Sequence, residues 1–295
     1  MRITEGTIAG NYLYTVGRTR ERIIQLQTQL ASGKQVLKAS DDPQAADTVM
    51  RLNESLSVRE QFHRNALEGQ GISDTTSMTL GQFADVLTSV KELVVKASST
   101  AYTADKDTFK ERADQFLSEL VDIANTKFSG KFLFGGTQTS TVPYTLAADR
   151  SAVVANPDGI GGTMNVQLGE NISHPMNING EDGLLGTQIF DMVIRLRDSL
   201  DDGSFVSDNF MNDVESSLDH VLNQASYAAS YAEHFQIVSD NLDEQELQLR
   251  QYLSIVQDTD VAEATMKLKH EEIMLDAALN TGGRIIPKSL LDFLR

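Results

Sequence analysis

Between Gly203 and Gly282 the chain has neither proline nor glycine, and through most of that interval one apolar stripe recurs at helical spacing. Phe210, Val214, Leu218, Val221, Ala225, Ala228, Ala232, Phe235, Val238, Leu242, Leu249, Tyr252 and Val256 form it, and only Gln245 interrupts. Steps of three and four residues put all of these on one side of a helix. At about 1.5 Å per residue such a helix reaches on the order of 70 Å, too long for a rounded globule. The run therefore predicts a mainly α chain built as an elongated antiparallel helical rod.

Other segments carry the same period. Tyr12, Val16, Thr19, Ile23, Leu26 and Leu30 make a seam near the N-terminus. Leu80, Phe83, Leu87, Val90 and Val94 make another, as do Phe109, Ala113, Phe116, Leu120 and Ile123. The first seam ends at Gly33, which suits the left-handed position after a helix C-terminus. Asp42 then offers a carboxylate cap and Pro43 a first helical residue, so Gly33, Asp41, Asp42 and Pro43 read as an elbow between helices.

Half of the chain's 20 glycines lie from Gly130 to Gly186, with Pro143, Pro157 and Pro175 among them. Short strand candidates (KFLFGG, SAVVA, GTMNVQLG) and the turn at Asn156–Gly159 fall there too. The expected organisation is an N-terminal coiled-coil arm with its elbow at 1–40 and an outgoing helical rod at 41–129. A small β-rich insertion, or knob, follows at 130–187. A returning rod at 188–257 and a C-terminal coiled-coil arm at 258–295 complete it.

Charge and composition narrow the function classes. The chain carries 25 basic and 42 acidic residues, a net charge of −17. Such a chain repels phosphate backbones, so no nucleic-acid partner is expected. It has no cysteine, which removes disulfides, thiolate metal sites and cysteine nucleophiles. No stretch approaches the roughly 18 apolar residues of a membrane span, and the N-terminus lacks the layout of a cleavable secretory signal.

Catalytic motifs are missing where they would have to stand. In HEEIM at 270–274, Met274 occupies the position of a zinc protease's second histidine. Asp258-Thr259-Asp260 reads as a polar break between helices rather than a metal dyad. The glycine-rich DGIGG at 158–162 has no P-loop lysine, and there is no nucleophile elbow. No enzyme activity, cofactor or metal is expected.

What remains is surface for other helices. Residues 1–34 carry a net +3 and residues 231–260 a net −6, suggesting that these segments pair antiparallel. Val16, Ile23, Leu26, Leu30, Phe235, Leu242, Leu249 and Val256 are the expected assembly seam. An apolar tail, Ile285, Ile286, Leu290, Leu291, Phe293 and Leu294, crowds into the last eleven residues. An apolar terminus on an acidic chain calls for a partner.

The N-terminal motif resembles that of bacterial flagellins and their hook-associated relatives. Its pattern is matched by Leu30, Ser32, Gly33 and Lys34, then by Ser40, Asp41, Asp42, Pro43, Ala45 and Ala46, then by Arg51, Leu52 and Asn65. At the other end Asn241, Leu242, Asp258, Asp260, Ala262, Leu268 and the Leu-rich tail are similar to the family's C-terminal arm. Residues 123–144, IANTKFSGKFLFGGTQTSTVPY, resemble the branch that joins hook to filament. The arginine usual just before the D-x-D is absent, and NTGGRIIP replaces a Gln/Asn-rich stretch, which sets the chain apart from filament flagellin.

The resemblance implies a structural adaptor at the junction of hook and filament. It would be exported by the flagellar type III system, would lie in the extracellular flagellum, and would order its arms on assembly into a homo-oligomeric ring. Its partners would be the first hook-associated protein, flagellin, and an export chaperone on the C-terminal arm. A minor flagellin and a secreted adhesin-like binding protein are the alternatives.

Overall fold

A computed structural model describes residues 5–98 and 106–285. Among the described residues, six short strands follow one another in the middle of the chain, with three helices before them and four after. Helix α1 (Glu5–Ser32) is followed by α2 (Pro43–Ala97) and α3 (Lys106–Ala124). Strands β1 (Lys127–Phe128), β2 (Lys131–Phe132), β3 (Tyr144–Leu146), β4 (Val153–Ala155), β5 (Asn165–Gly169) and β6 (Ile172–Pro175) come next. The chain then returns through α4 (Gly180–Gly183), α5 (Gln188–Asp202), α6 (Ser207–Gln257) and α7 (Val261–Ile285). The fold is mainly α, as its long apolar periods require.

The chain divides into two units, one formed by residues 59–245 and the other by the two terminal segments, 1–58 and 246–295. The core of the central unit is large. Leu80, Phe83, Leu87, Val90 and Val94 of α2 are all buried, as are Ala113, Leu117 and Leu120 of α3 and Ile189, Phe190, Val193, Leu196 and Leu200 of α5. Phe190 sits at its centre, edge-on to Phe83 with centroids 6.0 Å apart and 5.0 Å from Tyr144. Burial drives the Tyr144 hydroxyl well above the usual phenol range, so it stays protonated and donates to the Gly180 carbonyl at 3.0 Å.

Within this unit α2 and α6 run antiparallel. Arg59 donates to Gln245 at 3.2 Å, His63 meets Asp243 at 3.1 Å, and Gln70 donates to Gln236 at 2.7 Å. Further along, Ser77 donates to the Ala225 carbonyl at 3.1 Å and Lys91 pairs with Glu215 at 2.8 Å. Gly69 is there for contact, because a Cβ at that position would lie 2.7 Å from ring atoms of Phe235.

The strands form three separate antiparallel hairpins, β1–β2, β3–β4 and β5–β6. KFLFGG, SAVVA and GTMNVQLG each supply one strand, and Asn156–Gly159 closes a turn with a 2.9 Å hydrogen bond. The β3–β4 hairpin is latched to the helices by arginines. Arg197, 8% exposed on α5, donates to Asp198, to Asp114 of α3 at 3.2 Å and to the Arg150 carbonyl at 2.7 Å. Burial pulls the Arg197 pKa down, but its bonds to Asp198 and Asp114 outweigh that and leave it raised. Arg150 itself holds a left-handed backbone, φ 58°, and donates to the Asp114 carbonyl at 2.8 Å and to the Ser118 hydroxyl.

Candidate functional site

The terminal unit is built around two breaks in the helices. Helix α1 stops where Gly33 adopts φ +71° and its amide returns to the Gln29 carbonyl at 2.8 Å. Asp41 then holds the loop by accepting from the amides of Leu37 at 3.3 Å and Lys38 at 3.0 Å. Asp42 caps α2, accepting from the Gln44 and Ala45 amides, each at 3.0 Å, with Pro43 as the first helical residue. The four elbow residues thus divide into a stop, a loop clamp and a start.

The second break lies at Asp258-Thr259-Asp260. Asp258 accepts from the Ser254 hydroxyl at 2.6 Å, and Asp260 caps α7 by accepting from Ala262 and Glu263 at 2.8 and 3.0 Å. Asp260 therefore organises backbone, while the Asp258 carboxylate ties back to a side chain one turn earlier in α6. The two breaks are joined: Lys34 and Asp258 form an antiparallel bridge, the Gln35 amide donates to the Gln257 carbonyl, and the Thr259 amide donates to Gly33, both at 2.8 Å.

From these joined breaks α1 and α7 run antiparallel. Arg22 pairs with Glu271 at 3.2 Å, and Tyr12 donates to the Ala278 carbonyl at 3.0 Å. The inward stripe of α1 is Tyr12, Val16, Thr19, Ile23, Leu26 and Leu30, with Val16, Thr19 and Ile23 buried and the others half-buried. The α7 stripe is Ala264, Leu268, Glu271, Leu275, Ala278 and Gly282, in steps of four and three. Its small residues let the helices approach closely; a Cβ on Gly282 would lie 2.2 Å from the Tyr12 ring.

This pairing corrects the charge argument. The N-terminal segment meets α7, whose net charge is −1, rather than the strongly acidic 231–260. Residues 231–245 belong to the other unit altogether. Packing at a close apolar and small-residue seam decides the partner, because exposed charges are screened and weak.

The expected seam residues fall into different settings. Val16, Ile23, Phe235 and Leu242 are buried within the chain, whereas Leu26, Leu30, Leu249 and Val256 are half-buried. Phe235 lies wholly inside the central unit at 0% exposure. It therefore cannot be a contact to a neighbour while that unit stays folded, and it leaves the assembly seam. Gln245 is exposed, and the stripe passes instead through half-buried Glu246, which pairs with Arg250. Of the apolar tail, Ile286, Leu290, Leu291, Phe293 and Leu294 lie outside the described residues, and Ile285 is the last residue of α7.

Sequence periodicity missed a second set of apolar residues that point outward. On α1 these are Leu13, Tyr14 and Ile24, from 62 to 67% exposed. On α7 they are Val261, Met266, Ile273, Met274 and Leu279, and at the end of α6 they are Leu247 and Ile255, the last 75% exposed, beside Tyr252 of the predicted stripe, which is exposed too. A groove of about 640 Å³ between α1 and α7 is lined by Leu26 and Met266 with Arg22, Lys267, His270 and Glu271 around them. Chemically this surface can bury apolar area against another helix. Among the described residues no group of three or more His, Asp or Glu is placed to hold a metal ion, and no helix is long and apolar enough to cross a membrane.

Comparison with known proteins places this arrangement. The family model described as the bacterial flagellin N-terminal helical region matches residues 3–139. Flagellar hook-associated protein 3 of Escherichia coli (strain K12) is 25% identical over 193 residues, 64% of this chain and 57% of that protein. Flagellin FlaB1 of Treponema pallidum (strain Nichols) is 23% identical over 166 residues, 56% of this chain and 54% of that protein. The chain thus spans little more than half the length of these curated relatives. A solved structure described as a flagellar hook-associated protein from Vibrio parahaemolyticus superposes with a TM-score of 0.65 at 17% identity, covering 74% of this chain and 99% of that one.

Proposed function

We propose that this chain belongs to the flagellin family and is a structural component of the bacterial flagellum that joins hook to filament, outside the cell. The observation that carries the reading is the double-sided α1–α7 pair. One apolar stripe on each helix is used within the chain, and further apolar side chains are left exposed beside it, where another helix would have to cover them. In this reading the subunit is exported by the flagellar type III system and forms a homo-oligomeric ring. One side of the ring meets the first hook-associated protein and the other meets flagellin. Before assembly an export chaperone covers the C-terminal arm.

The surface residues of the pair, together with half-buried Leu26 and Leu249, are the assembly contacts. Ile24→Asp and Ile255→Asp change exposed side chains, so the folded monomer should keep its circular dichroism and melting behaviour while ring formation is lost. Normal assembly of both variants would contradict the proposed surface. In a strain lacking the protein, the reading expects completed hooks with flagellin shed into the medium.

A minor flagellin is the second reading, favoured by the likeness to the Treponema flagellin over 166 residues. Seeded growth separates the two. A filament subunit should extend long filaments by itself, whereas a junction subunit should stop at rings or require the hook-side partner.

A further inference from the structure

Five histidines scattered along the sequence include two, His174 and His234, that the fold stacks face to face. Their ring centroids are 4.4 Å apart and their planes 19° from parallel. His174 belongs to β6, opposite Val166 of β5, and His234 belongs to α6. His174 also lies edge-on to Tyr231 at 4.9 Å and to Phe235 at 5.2 Å. Phe235 in turn sits against Gly69 of α2.

Beside the stack, an apolar cluster and a hydrogen bond hold the β5–β6 hairpin to the helices. A small cluster of Ala66, Leu168 and Phe235 is flanked by Val166, Met176, Tyr231 and Val238, and of these Met176 and Tyr231 also pack against the main core. Asn65 adds one hydrogen bond to the Gln167 carbonyl at 2.7 Å. The histidine stack adds an aromatic contact to this attachment.

From this geometry we infer that the His174–His234 stack is an acid-sensitive clasp, which holds the β5–β6 hairpin against α2 and α6 when both rings are neutral and loosens it when they are protonated. The inference goes beyond the flagellar role and does not depend on it. Charging both imidazoles would place like charges 4.4 Å apart, a repulsive arrangement. Among the described residues neither ring forms an ion pair with a carboxylate, and the charge that acts on His234 is that of the neighbouring His174. The charged or titratable groups beside these contacts in sequence are Tyr231 and Glu233 of α6, Glu170 in the hairpin turn, and His63, Arg64 and Glu68 of α2. His63 is engaged by Asp243 and Glu68 by Lys131. Asn65 and Ala66 are the α2 residues that meet the hairpin, and both are uncharged.

His234 already titrates below its ordinary value of 6.5, through burial first and the neighbouring His174 second. A histidine lowered on folding contributes stability that is fully present above its unfolded pKa. That contribution is lost as pH falls through the folded value. The clasp therefore weakens on the acid side of 6.5. Because His234 is an exposed residue, the effect is moderate and local rather than global.

Hydrogen exchange of the full chain, corrected for the intrinsic pH dependence of exchange, tests this. Protection of residues 165–176 relative to residues 113–121 of α3 should fall about threefold or more between pH of about 7.5 and 5.5. The same ratio should stay flat in a His174→Phe/His234→Gln variant that keeps the planar contacts. Imidazole nitrogen shifts of the unaltered protein give a second reading, in which His234 should titrate below a free histidine. A flat ratio in the unaltered chain, an equal fall in the variant, or an ordinary His234 titration would overturn the inference.

Discussion

The two units of this chain bury their apolar residues to different extents. In residues 59–245 the long stripes are closed: Phe83, Leu87, Phe190 and Val193 are each at 0% exposure. In the terminal unit the described buried apolar residues are few, namely Val16, Ile23, Val36, Ala46, Val49, Leu56 and Ala264. Around them stand exposed Leu13, Tyr14, Ile24, Tyr252, Ile255, Met266 and Ile273. The same 3.6-residue period thus yields a finished core in one place and a half-used pair of helices in the other. A repeating apolar pattern marks what must be buried, and only the packing shows whether the chain buries it alone.

The largest expected effect separates the units by core deletion. Phe190→Ala removes a fully buried ring in contact with Phe83 and Tyr144 and should cost about 3–5 kcal/mol in denaturant unfolding of the central unit. Ile23→Ala in the α1–α7 pair should leave that transition unchanged and lower exchange protection only in α1 and α7. If both substitutions shifted the same transition equally, the two-unit contrast would be wrong.

A smaller loss is expected at the latch of the β3–β4 hairpin. Arg197→Met keeps the aliphatic stem but leaves Asp114, the Arg150 carbonyl and Asp198 without their donor. The side chain is 10% exposed but Asp198 is 60% exposed, which discounts the charge term, so the cost should be about 2–3 kcal/mol. Adding Asp114→Asn should recover part of it, and an unchanged midpoint for Arg197→Met would show the latch to be ornamental.

Smallest is the effect of Gly69→Ala. The new methyl would meet Phe235 ring atoms at 2.7 Å, while His174 and Tyr231 crowd the ring's surroundings. A gain in helix propensity offsets part of the clash, leaving a loss of about 1–2 kcal/mol. A stabilised protein would mean that the α2–α6 spacing adjusts freely.

Much of this was legible in the sequence, for physical reasons that can be named. The inward face of α1, from Tyr12 to Leu30, follows from side-chain period alone. Gly33 and Pro43 act through their own backbones and Asp42 through a carboxylate that caps the residues just after it, so their roles do not depend on distant contacts. The identity of the partner helix was not legible, because a period names a face without naming what meets it. Summed charge pointed to 231–260, but those charges are solvated and the α7 stripe of Ala264, Leu268, Ala278 and Gly282 fits more closely. The outward residues Ile24, Met266 and Ile255 were hidden among polar neighbours with no stripe of their own. His174 and His234, sixty positions apart in sequence, meet only through the hairpin topology.

Hydrogen exchange of the isolated monomer and of the assembled protein tests the contrast most directly. Residues 5–58 and 246–285 should exchange faster than the core of 59–245 in the monomer and gain protection on assembly, while the central core stays as it was. Equal protection of both units in the monomer, with no gain in the terminal segments on assembly, would contradict the account.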